Sequence, residues 1–482
     1  MLRQPTRYER AQPRPVVRFG PTATAAGDAI RNWLRHDSIA KLALAFVLLT
    51  AGLFTGINIF NYPQFESDEG TYIGSAWAMM VKDQLSYYTY TYDHPPLGWL
   101  QLGVWARLTG GFDTFGMSVN SGRVLMLGVA ILSTLLIFQI VRNATERVSA
   151  ALFGSILFAV SPLAVSLHRQ VWLDNLATLW LLVSLYLLVT ARERMGRIVL
   201  SSLTFGVMFW TKEVFIAFLP GMLLLAWAAA HPVQRRFVTV LWGSLAAASV
   251  SLFVVLAMLK NELLPPGVLG SNSTPHVSLV DTYRYQASRG GGGSLLSADA
   301  DFWTFMGQWR DAAPFLIVGG LLVTLLGLLL WRRQPLSFSL SVLVLTYVLF
   351  LGRGGVVLYY YIIPLIALLS LAIGVATGML LNQIPRHSAP QRVMATLVVA
   401  IALLTAQQSV GANHNNFHVD STSSQRVAAS WIADNLPRDN TIIMDSYLWT
   451  DLRLPSFTDG RPFPNAHYYW PALQDPAIRD AV

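Results

Sequence analysis

The sequence predicts an all-α polytopic membrane protein of about eleven transmembrane helices, closed by a short α/β segment. Composition is the first reason. Hydrophobic residues make up 54% of the 482-residue chain and charged residues only 12%, against roughly a quarter charged in soluble domains. So few charges cannot cover a surface facing water, which excludes an ordinary soluble enzyme. Run length is the second reason, because the chain repeatedly reaches the ~20 apolar residues that a spanning helix needs. The third is that Arg residues fall in short clusters between these runs, the pattern of cytoplasmic membrane loops. The same clustering removes nucleic-acid binding as an account of the net charge of +8. With no cysteine in the chain, disulfides, thiolate nucleophiles and Cys-ligated zinc are excluded.

Residues 1–37 form a polar leader with Arg3, Arg7, Arg10, Arg14, Arg18, Arg31 and Arg35. It reads as cytoplasmic, either with a surface helix near 28–36 or disordered. The apolar run after it is too late and too long for a cleavable signal. Candidate spans are 39–60, 117–141, 148–167, 171–190, 197–211, 213–230, 236–259, 314–331, 336–352, 356–381 and 392–410, with 97–109 as a further partial span. A cytoplasmic leader then puts Arg142 and Arg147, Arg192, Arg194 and Arg197, Arg235 and Arg236, Arg332 and Arg333, and Arg386 and Arg392 in inner loops. Every inner loop is basic, as the positive-inside rule requires.

The transmembrane domain covers 38–410, and an odd number of spans leaves the C-terminus outside. Its outer segments are a first loop at 61–116, short turns at 168–169, 212–213 and 353–355, and a long loop at 260–313. The Gly-rich stretch at 290–294 reads as a flexible part of that long loop. Residues 411–482 are an extracytoplasmic segment. Within it, 426–436 has helical periodicity and stops before Pro437, and 441–445 (Thr-Ile-Ile-Met-Asp) has the pattern of a buried strand. The segment is too small for a substantial core of its own, so it is minimal, docked on the membrane part, or truncated.

The polar residues near the spans collect on the outer side. Ionisable groups near lipid are costly and mark sites or pathways, so this collection points to one outward-facing cavity. Glu66, Asp68 and Glu69 place three carboxylates within four residues after the first span. They repel one another unless a cation, a donor or a proton transfer is involved, which suggests a general base or simply a solvated loop start. In Tyr92-Asp93-His94-Pro95-Pro96-Leu97-Gly98 the two prolines stiffen the backbone and start a helix near Leu97. His94 is then held at the membrane surface, as a site residue or in an interfacial turn. Arg169 and Asp174 lie at another boundary, where they can pair with each other or bind a phosphate. Lys212 and Glu213 flank a tight turn and read, taken alone, as snorkelling side chains. Arg353, followed by Tyr359, Tyr360 and Tyr361, offers a guanidinium suited to an anionic lipid phosphate, beside what is otherwise an aromatic belt.

Taken in order, Asp68-Glu69, His94-Pro95-Pro96-Leu97-Gly98, the stretch His168 to Leu176 (His-Arg-Gln-Val-Trp-Leu-Asp-Asn-Leu) and Phe209-Trp210-Thr211-Lys212-Glu213 resemble the protein O-mannosyltransferase family. These are integral membrane glycosyltransferases of the GT-C class, to which the aminoarabinose transferases acting on lipid A are similar. The resemblance spans 39–410. It implies a GT-C fold and a polyprenyl-phosphate-linked sugar as donor. It implies Asp68 as catalytic base and Glu69 as the second acidic position. It also matches Arg169, Asp174, and less specifically Arg353, Tyr359 and Tyr360, to elements near the lipid phosphate. His94, Lys212 and Glu213 join the donor-binding candidates. Eukaryotic members carry a β-trefoil domain in a long outer loop. Residues 260–313 are far too short for it, so the resemblance is to bacterial members in the cytoplasmic membrane. The acceptor is then lipid, glycan or protein.

The expected reaction is a single inverting displacement on the outer face. Asp68 takes the proton of an acceptor hydroxyl, while Arg169 or Arg353 stabilises charge on the leaving phosphate. The donor's own phosphoester bond supplies the energy, so no nucleotide is needed. No cofactor is required; a divalent cation at Asp68, Glu69 or His94 is compatible with the residues. Membrane lipids are the remaining partners. A polytopic transporter is the alternative reading, weighed against by charges gathered on one face and by the lack of paired repeats.

Overall fold

The computed structural model of the protein describes residues 38–269, 271, 276–290, 293–330, 333–385 and 388–474. The Arg-rich leader with its surface helix, Gly291, Gly292, Arg332, Arg386 and residues 475–482 lie outside these. The chain divides into two units, residues 1–43 and Leu44–Val482. Of the first only Ser38–Ala43 is described, as the opening turns of a helix. The second holds the helix bundle and the C-terminal segment.

Apolar runs became helices. In order they are α1 (Ser38–Gly56), α2 (Ser67–Val81), α3 (Leu97–Thr109), α4 (Ser118–Thr145), α5 (Val148–Val160), α6 (Pro162–Leu167), α7 (Leu173–Val189) and α8 (Met195–Thr211). A 3₁₀ turn at Glu213–Phe218 leads into α9 (Leu219–Ala229) and α10 (Arg235–Leu259). Next come α11 (Leu279–Ser288), α12 (Asp301–Ala312), α13 (Gly320–Leu328) and α14 (Pro335–Leu351). A second 3₁₀ turn at Tyr359–Ile362 precedes α15 (Ile363–Asn382) and α16 (Ala389–Ala412). Among the described residues, five helices are long and apolar enough to cross a membrane: α1, α4, α15 with its preceding turn, α16, and Pro232–Leu259. The remaining expected spans fall on shorter apolar helices of 10–17 residues, except 314–331. That stretch is the second arm of a pair bent by 112° against α12. Pro314 stands at the bend, where it cannot continue the hydrogen-bond ladder.

The protein is an integral membrane protein. Helix α16 has a mean hydropathy of 1.8 over its best window, yet only 11% of that window is buried. An apolar face left open over such a length belongs against lipid. Inside the bundle, small polar residues let helices approach and bond. Ser184 Oγ donates to Ser201 O at 2.8 Å, and Ser202 Oγ to Trp242 O at 2.7 Å.

After α16 the chain forms α17 (His414–His418), α18 (Ser423–Asn435), β1 (Ile442–Met444), α19 (Ser446–Arg453), β2 (Ala466–Tyr468) and α20 (Tyr469–Gln474). The strands pair in parallel, Ile443 opposite His467. This segment docks on the bundle. Fully buried Trp449 packs on Trp77 of α2 with ring centroids 5.4 Å apart, on Tyr87 at 4.7 Å and on Tyr468 at 5.0 Å. Such aromatic contacts contribute roughly 0.5–1.5 kcal/mol each beyond their area. Asp451, also fully buried, accepts from the backbone N–H of Ser118 at 2.7 Å and from its hydroxyl at 2.8 Å. It thereby satisfies donors at the start of α4 that the helix itself leaves unpaired.

Candidate functional site

Asp68 lies in the first turn of α2, where unpaired N–H groups favour a carboxylate. The half-buried side chain accepts a hydrogen bond at Oδ2 from the Tyr360 hydroxyl, 2.8 Å away. Tyr360 comes from the 3₁₀ turn before α15, which Pro364 helps to start. Its ring stacks on Trp172, with centroids 4.0 Å apart and planes 16° from parallel. Lys212 Nζ lies 5.8 Å from the centroid of the same ring.

Lys212 is the hub of a second group. It sits where α8 gives way to the 3₁₀ turn and is 1% exposed. Its ammonium donates to His94 Nε2 at 3.2 Å and lies 3.4 Å from Asp174 Oδ2. An ammonium cannot accept a hydrogen bond, so His94 Nε2 is the bare nitrogen. The ring proton is therefore on Nδ1, which donates to Glu213 Oε2 at 2.8 Å. Tyr90 fixes the other end of His94, donating to its carbonyl at 2.7 Å. Asp174 is fully buried, and among the described residues its carboxylate has the Lys212 ammonium as its side-chain partner. Tyr361 lies within electrostatic range of Lys212, Asp174, Glu213 and Arg289.

The structure thus brings Asp68, Tyr360, Lys212, His94, Asp174 and Glu213 together, and leaves other candidates apart. Glu69 is adjacent to Asp68 in sequence but points into the frame. Its carboxylate, 0% exposed, takes Arg123 Nε at 3.1 Å and Nη2 at 2.9 Å, with the N–H groups of Val171 and Glu66 at 2.9 and 3.0 Å. Arg123 completes itself on the carbonyls of Ile59, Pro63 and Gln64. Arg169 does not pair with Asp174. Its buried guanidinium donates to the carbonyls of Phe54 and Ile57, both at 2.7 Å, and to that of Asn416. Arg353 is exposed, bonds the Phe350 carbonyl of the preceding helix at 2.7 Å, and lies 3.9 Å from the Phe350 ring centroid. Tyr359 is 37% exposed, beside Phe305 rather than Asp68.

Asp68, Glu69 and His94 do not converge as a ligand set. Glu69 is saturated by Arg123, and both His94 nitrogens are engaged. Among the described residues no group of three or more His, Asp or Glu is arranged to hold a metal ion. At the site mouth burial raises the Glu66 carboxyl above the usual range. A hydrogen bond to Gln64 opposes the rise, while the nearby carboxylates of Glu69, Asp68 and Asp445 add to it.

Residues missed by motif reading are Arg123, Arg289 and Asp445, and Trp172 stood inside a motif without a role assigned to it. Arg123 did leave a trace, as an ionisable group inside the apolar 117–141 run. Asp445 left none, since its relevance comes from a partner far away in sequence.

Residues 93–259 match the family model of dolichyl-phosphate-mannose-protein mannosyltransferases. That stretch contains His94, Arg123, Asp174, Lys212 and Glu213 and begins after Asp68. Among solved structures the chain is similar to ArnT from Cupriavidus metallidurans bound to undecaprenyl phosphate. The TM-score is 0.58 at 14% identity, over 92% of this chain and 89% of that one. The apo form of the same protein gives 0.58 at 16% identity, over 90% and 86%. The Archaeoglobus fulgidus oligosaccharyltransferase, tethered to an acceptor peptide, gives 0.54 at 11% identity over 90% of this chain and 60% of that one. No curated protein matches the chain in sequence. The fold is the GT-C fold, and the resemblance read from the motifs is borne out at that level.

Proposed function

We propose that the protein is a glycosyltransferase that moves a sugar from a polyprenyl-phosphate carrier to an acceptor hydroxyl, with Asp68 as general base. The observation that carries this reading is the link from Asp68 through Tyr360 to the buried Lys212. It sets a base on the hydroxyl of one aromatic ring and a cation 5.8 Å from the centroid of the same ring. A polyprenyl phosphate is bound to the similar ArnT fold, which supports a carrier of that class here.

The chemistry follows from these groups. The acceptor oxygen gives its proton to the Asp68 carboxylate and attacks the anomeric carbon. The bond from that carbon to the phosphate oxygen breaks, and the pair leaves with the phosphate. The carrier passes from a singly charged diester to a monoester with more negative charge. Lys212 is the group placed to offset that increase, in surroundings dry enough to strengthen the interaction. One displacement inverts the anomeric centre. His94, held by Glu213 and Tyr90, keeps the ammonium aimed, and Asp174 keeps it charged before the donor arrives. Arg353, exposed, and Arg289, partly exposed, both lie within electrostatic range of Tyr361 and steer an anionic headgroup. Arg169 and Glu69, both candidates from the motifs, belong in this reading to the frame. The basic loops support a site on the non-cytoplasmic face.

The test uses protein in nanodiscs and a panel of polyprenyl-phosphate-linked mannose, glucose, arabinose and aminoarabinose, scored by release of polyprenyl phosphate. Asp68→Asn is expected to lower turnover by about 10²–10⁴-fold, the usual worth of a general base, with undecaprenyl phosphate binding unchanged. Lys212→Met is expected to weaken that binding about tenfold or more, as for loss of a charge-assisted contact. Wild-type turnover in Asp68→Asn would remove the assignment.

A further inference from the structure

The helix that carries Asp68 is held from two sides. On its bundle side Glu69 locks onto Arg123. On its other side it meets the C-terminal segment, and there the approach is close enough to involve backbone. A Cβ at Gly70 would lie 2.1 Å from Tyr447 N and 2.3 Å from Tyr447 Cα, and one at Gly74 would lie 1.9 Å from the Tyr468 hydroxyl. The bare glycine at position 70 lets the α19 backbone lie directly on α2, and Gly74, one helical turn on, leaves room for the Tyr468 ring.

Polar contacts then fix the first turn. Ser67 Oγ donates to Asp445 Oδ2 at 2.9 Å. The Ser446 hydroxyl donates to the Ser67 carbonyl. Ser67 is the residue directly before Asp68. Among the described residues the side chain of Asp68 itself has one hydrogen bond, to Tyr360. Its direction is therefore set by the turn beneath it as much as by its own partner.

We infer that the C-terminal segment is a working part of the site and that Asp445 is a positioning residue for Asp68, acting through Ser67. This rests on the reading of Asp68 as the base. The segment does not merely sit beside the membrane domain. A hydroxyl-carboxylate bond and two bare glycines tie its position to the orientation of the first turn of α2. Misplacement of a base by about 1 Å costs on the order of 10²-fold in rate, so a loosened turn is expressed in turnover rather than in donor affinity.

The experiment compares Asp445→Ala, which removes the acceptor for Ser67, with Asp445→Asn, which keeps an oxygen there. With the same panel of polyprenyl-phosphate-linked sugars, Asp445→Ala is expected to lower kcat by about 10–100-fold with donor KM unchanged. Asp445→Asn is expected to stay within about twofold of wild type. In parallel, hydrogen exchange read by mass spectrometry is expected to show faster exchange over residues 67–74 in Asp445→Ala and not in Asp445→Asn. Wild-type kcat in Asp445→Ala, or equal exchange in all three proteins, overturns the inference. Loss confined to KM overturns it as well. Asp68→Asn run alongside separates the two claims. If that variant is active the base assignment has failed, whereas if it is inactive and Asp445→Ala is normal only the positioning role has failed.

Discussion

Asp451→Asn isolates what holds the C-terminal segment onto the bundle. Asp451 is fully buried where α19 meets the start of α4. Burial pushes its carboxyl up from 3.8 to about 7, against two hydrogen bonds from Ser118, with the Asp113 carboxylate adding to the rise. The docked state therefore holds its proton where the undocked chain has lost it. Below about pH 4 both states are protonated and the group makes no difference. As pH climbs from about 4 to about 7 the undocked state ionises first, so docking weakens, and the full cost stands above pH 7. A rise from 3.8 to about 7 corresponds to roughly 4 kcal/mol, an upper figure for this site. Asn keeps an oxygen for the Ser118 N–H and presents an amide to the Ser118 hydroxyl, which can accept. Protection of the α19 amides, followed by hydrogen exchange from pH 4 to pH 8, is expected to fall with pH in the wild type. In Asp451→Asn it is expected to stay level and to exceed the wild type at the alkaline end. An equal slope in both proteins would refute this account of the contact.

Arg123→Met leaves the Glu69 charge buried without its partner, and such breakage costs about 3–5 kcal/mol. A clear drop in melting temperature in detergent is expected, partly reversed by adding Glu69→Gln. Arg169→Met strips a donor from the Phe54, Ile57 and Asn416 carbonyls, at about 1–3 kcal/mol for each left unsatisfied. Melting should fall while undecaprenyl phosphate affinity of the folded fraction stays put, and a weakened affinity would return Arg169 to the site. Arg353→Ala is expected to reduce that affinity less than Lys212→Met does in the same titration, because its guanidinium is exposed and screened.

Much of the architecture was legible in the residues because it rests on local properties. The runs from 39–60 to 392–410 reappear as apolar helices since burying ~20 apolar side chains decides span and place together. The helix near 426–436 and the strand within 441–445 were readable from period alone, and they stand as Ser423–Asn435 and Ile442–Met444. Misreadings have two causes. The loop at 260–313 looked featureless, yet it holds α11 and α12, whose moderate hydropathy resembles that of a polar connection. In the site, Lys212 and Glu213 looked like ordinary interfacial side chains. Their neighbours His94 and Asp174 come from other helices, and no pattern around 212 announces them.

Apolar run length and sparse charge determined by themselves that this chain lives in a membrane and where its helices lie. Hydrophobic burial and loop charge act residue by residue, and that makes them readable in one dimension. Which carboxylate meets the Tyr360 hydroxyl and which braces the frame was decided only in three dimensions. Asp68 and Glu69 are neighbours with the same functional group. One meets Tyr360 and the other meets Arg123, because successive side chains on a helix point about 100° apart and the packing of distant segments determines what each of them finds.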